Sequence, residues 1–318
     1  MSAPAVPAPP KAPSSREVYR DILTELMPRD ERVVCLDTDT GLFGGVDFGP
    51  AAGRYVNIGI AEHTLMGAAA GLAKQGRVPF ANTMAAFASS RAIEAVKINI
   101  AYNDLPVRIA ATHSGVSAGH LGATHHSLED IAAMRVLPNM TVVVAADAAS
   151  TDSLVRQALA LPGPVYLRLG RNAVPDLPAG PPVVLGQAQV LRQGTDVTIA
   201  ACGAYPVLSA WEAAEELSGL GIDATVLHVH TVKPLDTATL AAAAGITGTV
   251  ITVEEHWRAG GFGAAVAEAL TELLPVRVHR LGMPDRFVSV SGSQRYLLDR
   301  AGVTAAAIVE RATSSVKG

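Results

Sequence analysis

Two doubly wound α/β domains, the second smaller than the first, are what this sequence predicts, and three observations carry that expectation. Short β-branched apolar runs alternate with longer alanine-rich stretches along the whole chain from Arg16 onward. The runs are continuously apolar rather than alternating, as parallel strands covered on both faces require. A proline- and glycine-rich interruption, "YLRLGRNAVPDLPAGPPVVLG", divides the alternation in two. The length of 318 residues suits that division, at about 150 residues per domain.

Taken in order, residues 1–15 ("MSAPAVPAPPKAPSS") lack the apolar segment of a secretory leader and are expected to form a disordered Pro/Ala tail. The first domain, 16–172, has predicted helices at 16–27, 62–75, 86–102, 127–135 and 150–160. Its predicted strands are "RVVCLD", "YVNIG", "PVRIAAT" and "MTVVVAA". A linker is placed at 173–185. The second domain, 186–318, repeats the alternation with strands "DVTIAACG", "DATVLHVH", "TVITVEE" and "VRVHRLG" and helices at 206–219, 236–244 and 261–274.

Composition excludes several classes of function. The formal net charge is −4, from 25 basic and 29 acidic residues, with no basic stripe, so nucleic acid is not an expected partner. No apolar run approaches the roughly 20 residues that span a bilayer, so no membrane role is expected either. Cys35 and Cys202 sit singly inside apolar runs, which suits a reducing, cytoplasmic setting and offers no thiolate cluster.

Two stretches bear chemistry. In "NIGIAEHTLMGAAAGLA", a strand and a glycine turn deliver Glu62 to the mouth of an apolar helix, at the carboxyl end of a strand where open α/β sheets collect ligands. There Glu62 is either a helix-capping carboxylate, favoured by the macrodipole, or an acid–base group in apolar surroundings. In "AGHLGATHHSLED", with His113 just upstream, adjacent His125 and His126 diverge and no HExxH or Cys/His spacing accompanies them. The economical reading is a glycine-bent loop that aims one or two imidazoles into a cleft for hydrogen bonding and proton transfer. "GGFGAAVAEAL" lacks the GxGxxG spacing, and tight helix packing accounts for it better than a nucleotide site does.

Three segments in this order resemble the C-terminal half of a transketolase: "GIAEH", "ATHSG…GATHHSLEDIAAMRVLPNM", and "DVTIAACG…LHVHTVKPLD…TVEEHWRAGGFGAAVAE…GMPDRF". The resemblance covers nearly the whole chain from residue 16. It implies a pyrimidine-binding (PYR) domain at 16–172 and a transketolase C-terminal domain at 186–318. The family's pyrophosphate-binding (PP) domain carries a GDG motif that holds thiamine diphosphate and Mg²⁺ or Ca²⁺, and no GDG occurs in this sequence. The resemblance therefore implies one subunit of a split enzyme, inactive alone, in an α2β2 assembly with a PP-domain partner. The metal would be held mainly by that partner.

By the same resemblance Glu62 hydrogen-bonds the cofactor's aminopyrimidine and Phe87 stacks on it, with Phe80 and Met84 as alternates and an ordinary core aromatic as the plain reading. Asp39 lies near the cofactor. His125 serves the reacting carbon and the donor's oxygens, while His113 and Arg171 bind an acceptor's phosphate. His126 faces structure or the partner, and His120 is left open. Two departures concern the substrate. Leu121 replaces the acidic residue that reads a sugar hydroxyl, and "TGLFGG" (40–45) replaces a phosphate-holding serine loop. An acceptor without that hydroxyl, or a specialised metabolite, is the implied consequence. A 1-deoxyxylulose-phosphate synthase-like carboligase, a 2-oxo acid dehydrogenase β-like subunit and a non-catalytic scaffold are the alternatives.

Overall fold

The computed structural model describes residues 12–316. Most of the expected tail, 1–11, lies outside them, but its last residues are structural. Ser14 donates its backbone N–H and its hydroxyl to Glu17 Oε2 (2.8 and 2.6 Å), closing the N-terminus of α1 (Ser15–Arg29).

The first half then runs β1 (Val33–Asp37), β2 (Tyr55–Asn57), α2 (Glu62–Lys74), β3 (Val78–Met84), α3 (Ala85–Ser89), α4 (Ile93–Ala95), β4 (Arg108–Thr112), α5 (Asp130–Arg135), β5 (Thr141–Val144), α6 (Ala148–Leu159) and β6 (Val165–Arg168). The second half runs β7 (Gln189–Arg192), β8 (Val197–Cys202), α7 (Ala204–Gly219), β9 (Ala224–His228), β10 (Thr231–Lys233), α8 (Thr237–Thr247), β11 (Thr249–Trp257), α9 (Phe262–Leu273), β12 (Arg277–Met283), α10 (Gln294–Ala301) and α11 (Ala305–Val316).

Two sheets result, seven strands in the order β10-β5-β6-β4-β3-β1-β2 and five in the order β12-β11-β8-β9-β7. Each is parallel except for one antiparallel edge strand, β10 in the first and β7 in the second. The expected fold class is therefore the observed one. The fully buried patterns of β1, β4 and β8 explain why those strands read as unbroken apolar runs.

Some elements depart from expectation. The single helix expected at 86–102 is broken into α3, α4 and a π-helical turn, Val96–Ala101. Ser89 donates its hydroxyl back to the Ala85 carbonyl (2.9 Å), one of the side-chain bonds that compete with a continuous helix ladder. Strands β3, β6, β7 and β10 are additions to the expected set. β10 belongs by sequence to the second half but pairs with β5 of the first sheet. One apolar cluster accordingly runs through both halves, from Leu65 and Met66 by way of Val142 and Val144 to Leu227, Leu240 and Phe262.

The glycines of "GGFG" serve packing. Glu254 accepts hydrogen bonds from the backbone N–H groups of Phe262 (2.6 Å) and Gly263 (2.9 Å), filling the N-terminus of α9 with a carboxylate of the chain itself. A methyl group on Gly261 would collide with that carboxylate. Among the described residues no helix is long and apolar enough to cross a membrane.

Candidate active site

The parallel strands of the first sheet all end at one edge, and the expected site residues stand on the connections leaving it. After β1 comes Asp39, exposed and with positive φ (59°), its carboxylate accepting from Asn57 Nδ2 at 3.3 Å. The buried carboxylate here is Asp37, two residues earlier. It accepts from Thr40 Oγ1 (2.7 Å) and Tyr55 OH (3.4 Å), and burial pushes its pKa up. Leu42 and Phe43 of "TGLFGG" are buried, with Phe43 packed on Tyr19, Phe48 and Tyr55.

After β2, the chain turns through Gly59 (φ 71°) and Glu62 becomes the first residue of α2. It stands in the first turn, where the macrodipole favours a carboxylate, but it makes no capping hydrogen bond. The N-cap is Ala61, no side chain caps the helix, and Glu62 is only 4% exposed. Among the described residues its carboxylate meets one charged group, Arg91, at 3.6 Å, whose own side chain is 55% exposed. The Glu62 oxygens are not among the sealed unpartnered atoms, so a largely buried carboxylate remains open to a donor from outside the described residues.

After β3, Phe87 on α3 is half-buried. The Arg91 guanidinium lies 4.5 Å above its ring, and His125 meets it edge-on with centroids 5.4 Å apart. Glu62, Arg91, Phe87 and His125 thus form one contiguous row. Phe80 is fully buried against Tyr19, which removes it as a stacking surface for a ligand. Met84 stands at the N-cap of α3, partly buried.

After β4 comes His113, nearly buried and again with positive φ (59°); its Nδ1 pairs with Thr112 Oγ1 at 2.9 Å. Its pKa falls to about 3, first through burial and then through the charges of Arg16, Arg171, His125 and His120. Those neighbours describe a cationic cluster. Arg171 follows β6 and makes no ion pair within the described residues, while Arg16 enters from α1 with its Nε buried and unpartnered. Burial and Arg171 lower the pKa of Arg16 as well.

Arg16 escapes a reading of the sequence. One signal is available: an arginine at the second residue of a helix opposes the macrodipole, so its charge needs another reason to be there. Beside this cluster a cleft of about 390 Å³, lined by His120, Arg171, Asn172 and Arg295 among others, opens between the two halves. A cleft of about 380 Å³ in the second half is apolar, lined by Leu227, Ala243 and Ile246, and holds none of these residues.

The loop from His113 to Ser127 closes on itself, Gly115 and Ser127 exchanging backbone hydrogen bonds of 3.1 and 2.8 Å. On it, Leu121 is 42% exposed ahead of Gly122 (φ 79°), and His125 is half-buried. His126 points elsewhere, 7% exposed with both ring nitrogens unpartnered among the described residues, against a small pocket lined by Trp257, Glu129 and Phe287.

Sequence profiles identify both halves. The transketolase pyrimidine-binding domain matches residues 11–176 and the transketolase C-terminal domain matches residues 186–308. The chain belongs to the transketolase family. It is 41% identical over 300 residues to the 6-deoxy-6-sulfo-D-fructose transketolase subunit SqwH of Clostridium sp. (strain MSTE9), covering 93% of this chain and 92% of that one. It is likewise 41% identical to an apulose-4-phosphate transketolase subunit of Phocaeicola vulgatus, covering 92% and 96% of the two chains. Among solved structures, a split-gene transketolase described as an inactive β4 tetramer superposes with a TM-score of 0.88 at 42% identity, covering 96% of this chain and 98% of that one. A transketolase variant of Pichia stipitis shares the fold (TM-score 0.79, 24% identity), and this transketolase chain spans 47% of it.

The family works with thiamine diphosphate. The residues present fit the pyrimidine half of that group: a buried carboxylate without a hydrogen bond from the described residues, beside a half-buried aromatic ring. Among the described residues no group of three or more His, Cys, Asp or Glu side chains gathers around a common point for a metal ion.

Proposed function

We propose that this chain is the PYR and C-terminal subunit of a two-component transketolase that moves a two-carbon ketol unit from a ketose phosphate to an aldehyde. The missing component is a PP-domain subunit carrying the GDG motif and most of the ligands for Mg²⁺ or Ca²⁺, in an α2β2 assembly. The observation that carries the reading is Glu62, a buried carboxylate that no described residue hydrogen-bonds, at the sheet edge in line with Phe87 and His125. Relatives of matching length that are named as transketolase subunits support the two-component arrangement.

Bound thiamine diphosphate would supply the carbanion chemistry of C–C cleavage and formation. The protein's tasks are then local. Glu62 hydrogen-bonds the ring nitrogen N1′ and sets the protonation state of the aminopyrimidine. Phe87 offers its face to that ring once Arg91, which now lies over it, swings aside. His125 hydrogen-bonds the substrate oxygens at the reacting carbon, where an imidazole can give or take a proton. Arg171 and Arg16 receive the acceptor's anionic end with His113, whose neutral imidazole contributes a hydrogen bond rather than charge. Asp39, exposed at the end of β1, is the cofactor-side residue with the least structural support.

Leu121 sets the substrate apart. An apolar side chain cannot accept from a sugar hydroxyl, and an unpaired buried hydroxyl costs about 1–3 kcal/mol. We therefore place the acceptor among aldehydes that lack that hydroxyl. The test is co-expression with a GDG-bearing partner, followed by measurement of cofactor binding and two-carbon transfer from a ketose phosphate. A stable complex that binds thiamine diphosphate and transfers the unit is expected. A complex that does neither would favour the scaffold role.

A further inference from the structure

We propose that Glu255, on β11 of the second half, is a positioning residue for the chemistry of the first half, holding the loop that carries His113 and His125. The inference rests on the function proposed above. Glu255 is 5% exposed and forms no ion pair within the described residues. Its Oε1 accepts the backbone N–H of Val116 at 2.6 Å, three residues past His113. Gln294 Nε2 donates to both of its oxygens, at 3.1 and 2.8 Å. Asn172, next to Arg171, donates to Gln294 Oε1 and to the Ser117 carbonyl, both at 3.1 Å. Donors and acceptors therefore run in one direction, from Asn172 through Gln294 to Glu255, with Val116 donating from the other side.

The contact is intimate. A methyl group on Gly115 would collide with the Glu255 carboxylate, and one on Gly119 with the Gly292 carbonyl. Gly292 also donates its N–H to the Gly119 carbonyl at 3.2 Å. Arg168 ties the other end of the loop, donating from Nη2 to the carbonyls of Ser127 (3.1 Å) and Glu255 (3.0 Å). A buried carboxylate with no direct ion pair, compensated only by the nearby charge of Arg168, is a poor choice for stability alone. At this position it does what an amide cannot, since both of its oxygens accept while a backbone N–H and a side-chain amide approach together.

The direction of that relay is testable in the complex reconstituted with its PP-domain partner and thiamine diphosphate. Glu255→Gln turns one acceptor into a donor facing Gln294 Nε2. The expected results are a rise of about tenfold in KM for a phosphorylated aldehyde acceptor, unchanged affinity for thiamine diphosphate, and faster amide hydrogen exchange across residues 113–127. The double variant E255Q/Q294E restores the alternation, because the introduced amide donates to the introduced carboxylate, which still accepts from Asn172. It should bring KM and exchange back toward wild type.

Asn172→Ala cuts the same chain at its half-buried end and should raise the acceptor KM whether or not the Glu255 variants fold. Wild-type KM and exchange in E255Q or N172A would overturn the proposal, as would a double variant worse than E255Q alone. A wild-type complex without two-carbon transfer would instead sink the functional reading, leaving hydrogen exchange to judge the relay.

Discussion

Glu62 and Asp130 are both buried carboxylates, and they are treated in opposite ways. Asp130, fully buried at the start of α5, takes both of its bonds on Oδ2, from Arg168 Nε at 2.7 Å and Tyr166 OH at 2.8 Å, while Oδ1 has no partner among the described residues. Glu62, at the start of α2, has only a 3.6 Å approach from an exposed arginine among the described residues. At Asp130 the buried charge is paired by an arginine of the chain itself. At the sheet edge it is left open. Since a buried carboxylate must find donors somewhere, the contrast separates a residue that holds the fold from one that awaits a ligand.

The largest expected effect comes from removing the open member of the pair. Glu62→Ala should lower two-carbon transfer by roughly 10²–10⁴-fold, the range for a group that positions and moves a proton. The melting temperature should stay at or above that of wild type, because the substitution removes an unsatisfied charge. Steady-state kinetics and thermal denaturation of the reconstituted complex together decide it. Near-normal turnover would sink the role, and a collapse in stability would mean that Glu62 belongs with Asp130.

The reverse is expected of Asp130. Asp130→Ala strands the Arg168 guanidinium, 3% exposed, without its partner. Breaking a buried pair in this way costs about 3–5 kcal/mol, readable as a lower urea midpoint. D130A/R168M should recover part of that loss by removing the abandoned charge. A loss below about 1 kcal/mol for the single variant would show that water reaches Arg168 and that the contrast is overdrawn.

How far this division can be read from sequence depends on where each signal lies. Glu62 is legible because a strand, a glycine turn and an apolar helix are local features, and parallel topology places such a turn at the ligand-bearing edge. The Asp130–Arg168 pair is not legible, since nothing local distinguishes a buried arginine from a solvated one. Strand β3 is hidden for a similar reason. Pro79 and Asn82 interrupt its apolar run, and Asn82 is acceptable there only because its Nδ2 finds the Leu36 carbonyl at 2.6 Å across the sheet. β10 is hidden by chain order, as a strand of the second half completes the first sheet. The 86–102 helix fails on an average: alanine-rich composition outweighs serines that bond back to the backbone.

Arg16 extends the comparison to cations. Unlike Arg168, it has a buried nitrogen with no partner among the described residues, next to Arg171 and His113. If that site awaits an anion, Arg16→Ala should raise KM for a phosphorylated acceptor by roughly 10–150-fold, the equivalent of about 1.5–3 kcal/mol for a charged hydrogen bond. The value for an unphosphorylated aldehyde should hardly change. Equal losses on both acceptors would make Arg16 a structural residue of α1 and remove it from the site.

The smallest expected effect tests the edge of the site rather than its centre. Leu121 is 42% exposed on the same loop as His125, with no polar group to offer a hydroxyl. Leu121→Asp should improve kcat/KM for 2-hydroxyaldehydes several-fold, as one regained hydrogen bond of about 1 kcal/mol would, and leave acceptors without the hydroxyl equal or poorer. Because Leu121 is partly solvated, stability should shift by no more than about 0.5 kcal/mol. A competition assay pairing a 2-hydroxyaldehyde with its 2-deoxy counterpart reads the preference directly. An unchanged ratio would mean that the acceptor never reaches Leu121, and selectivity would then have to come from the cationic cluster or from the partner subunit.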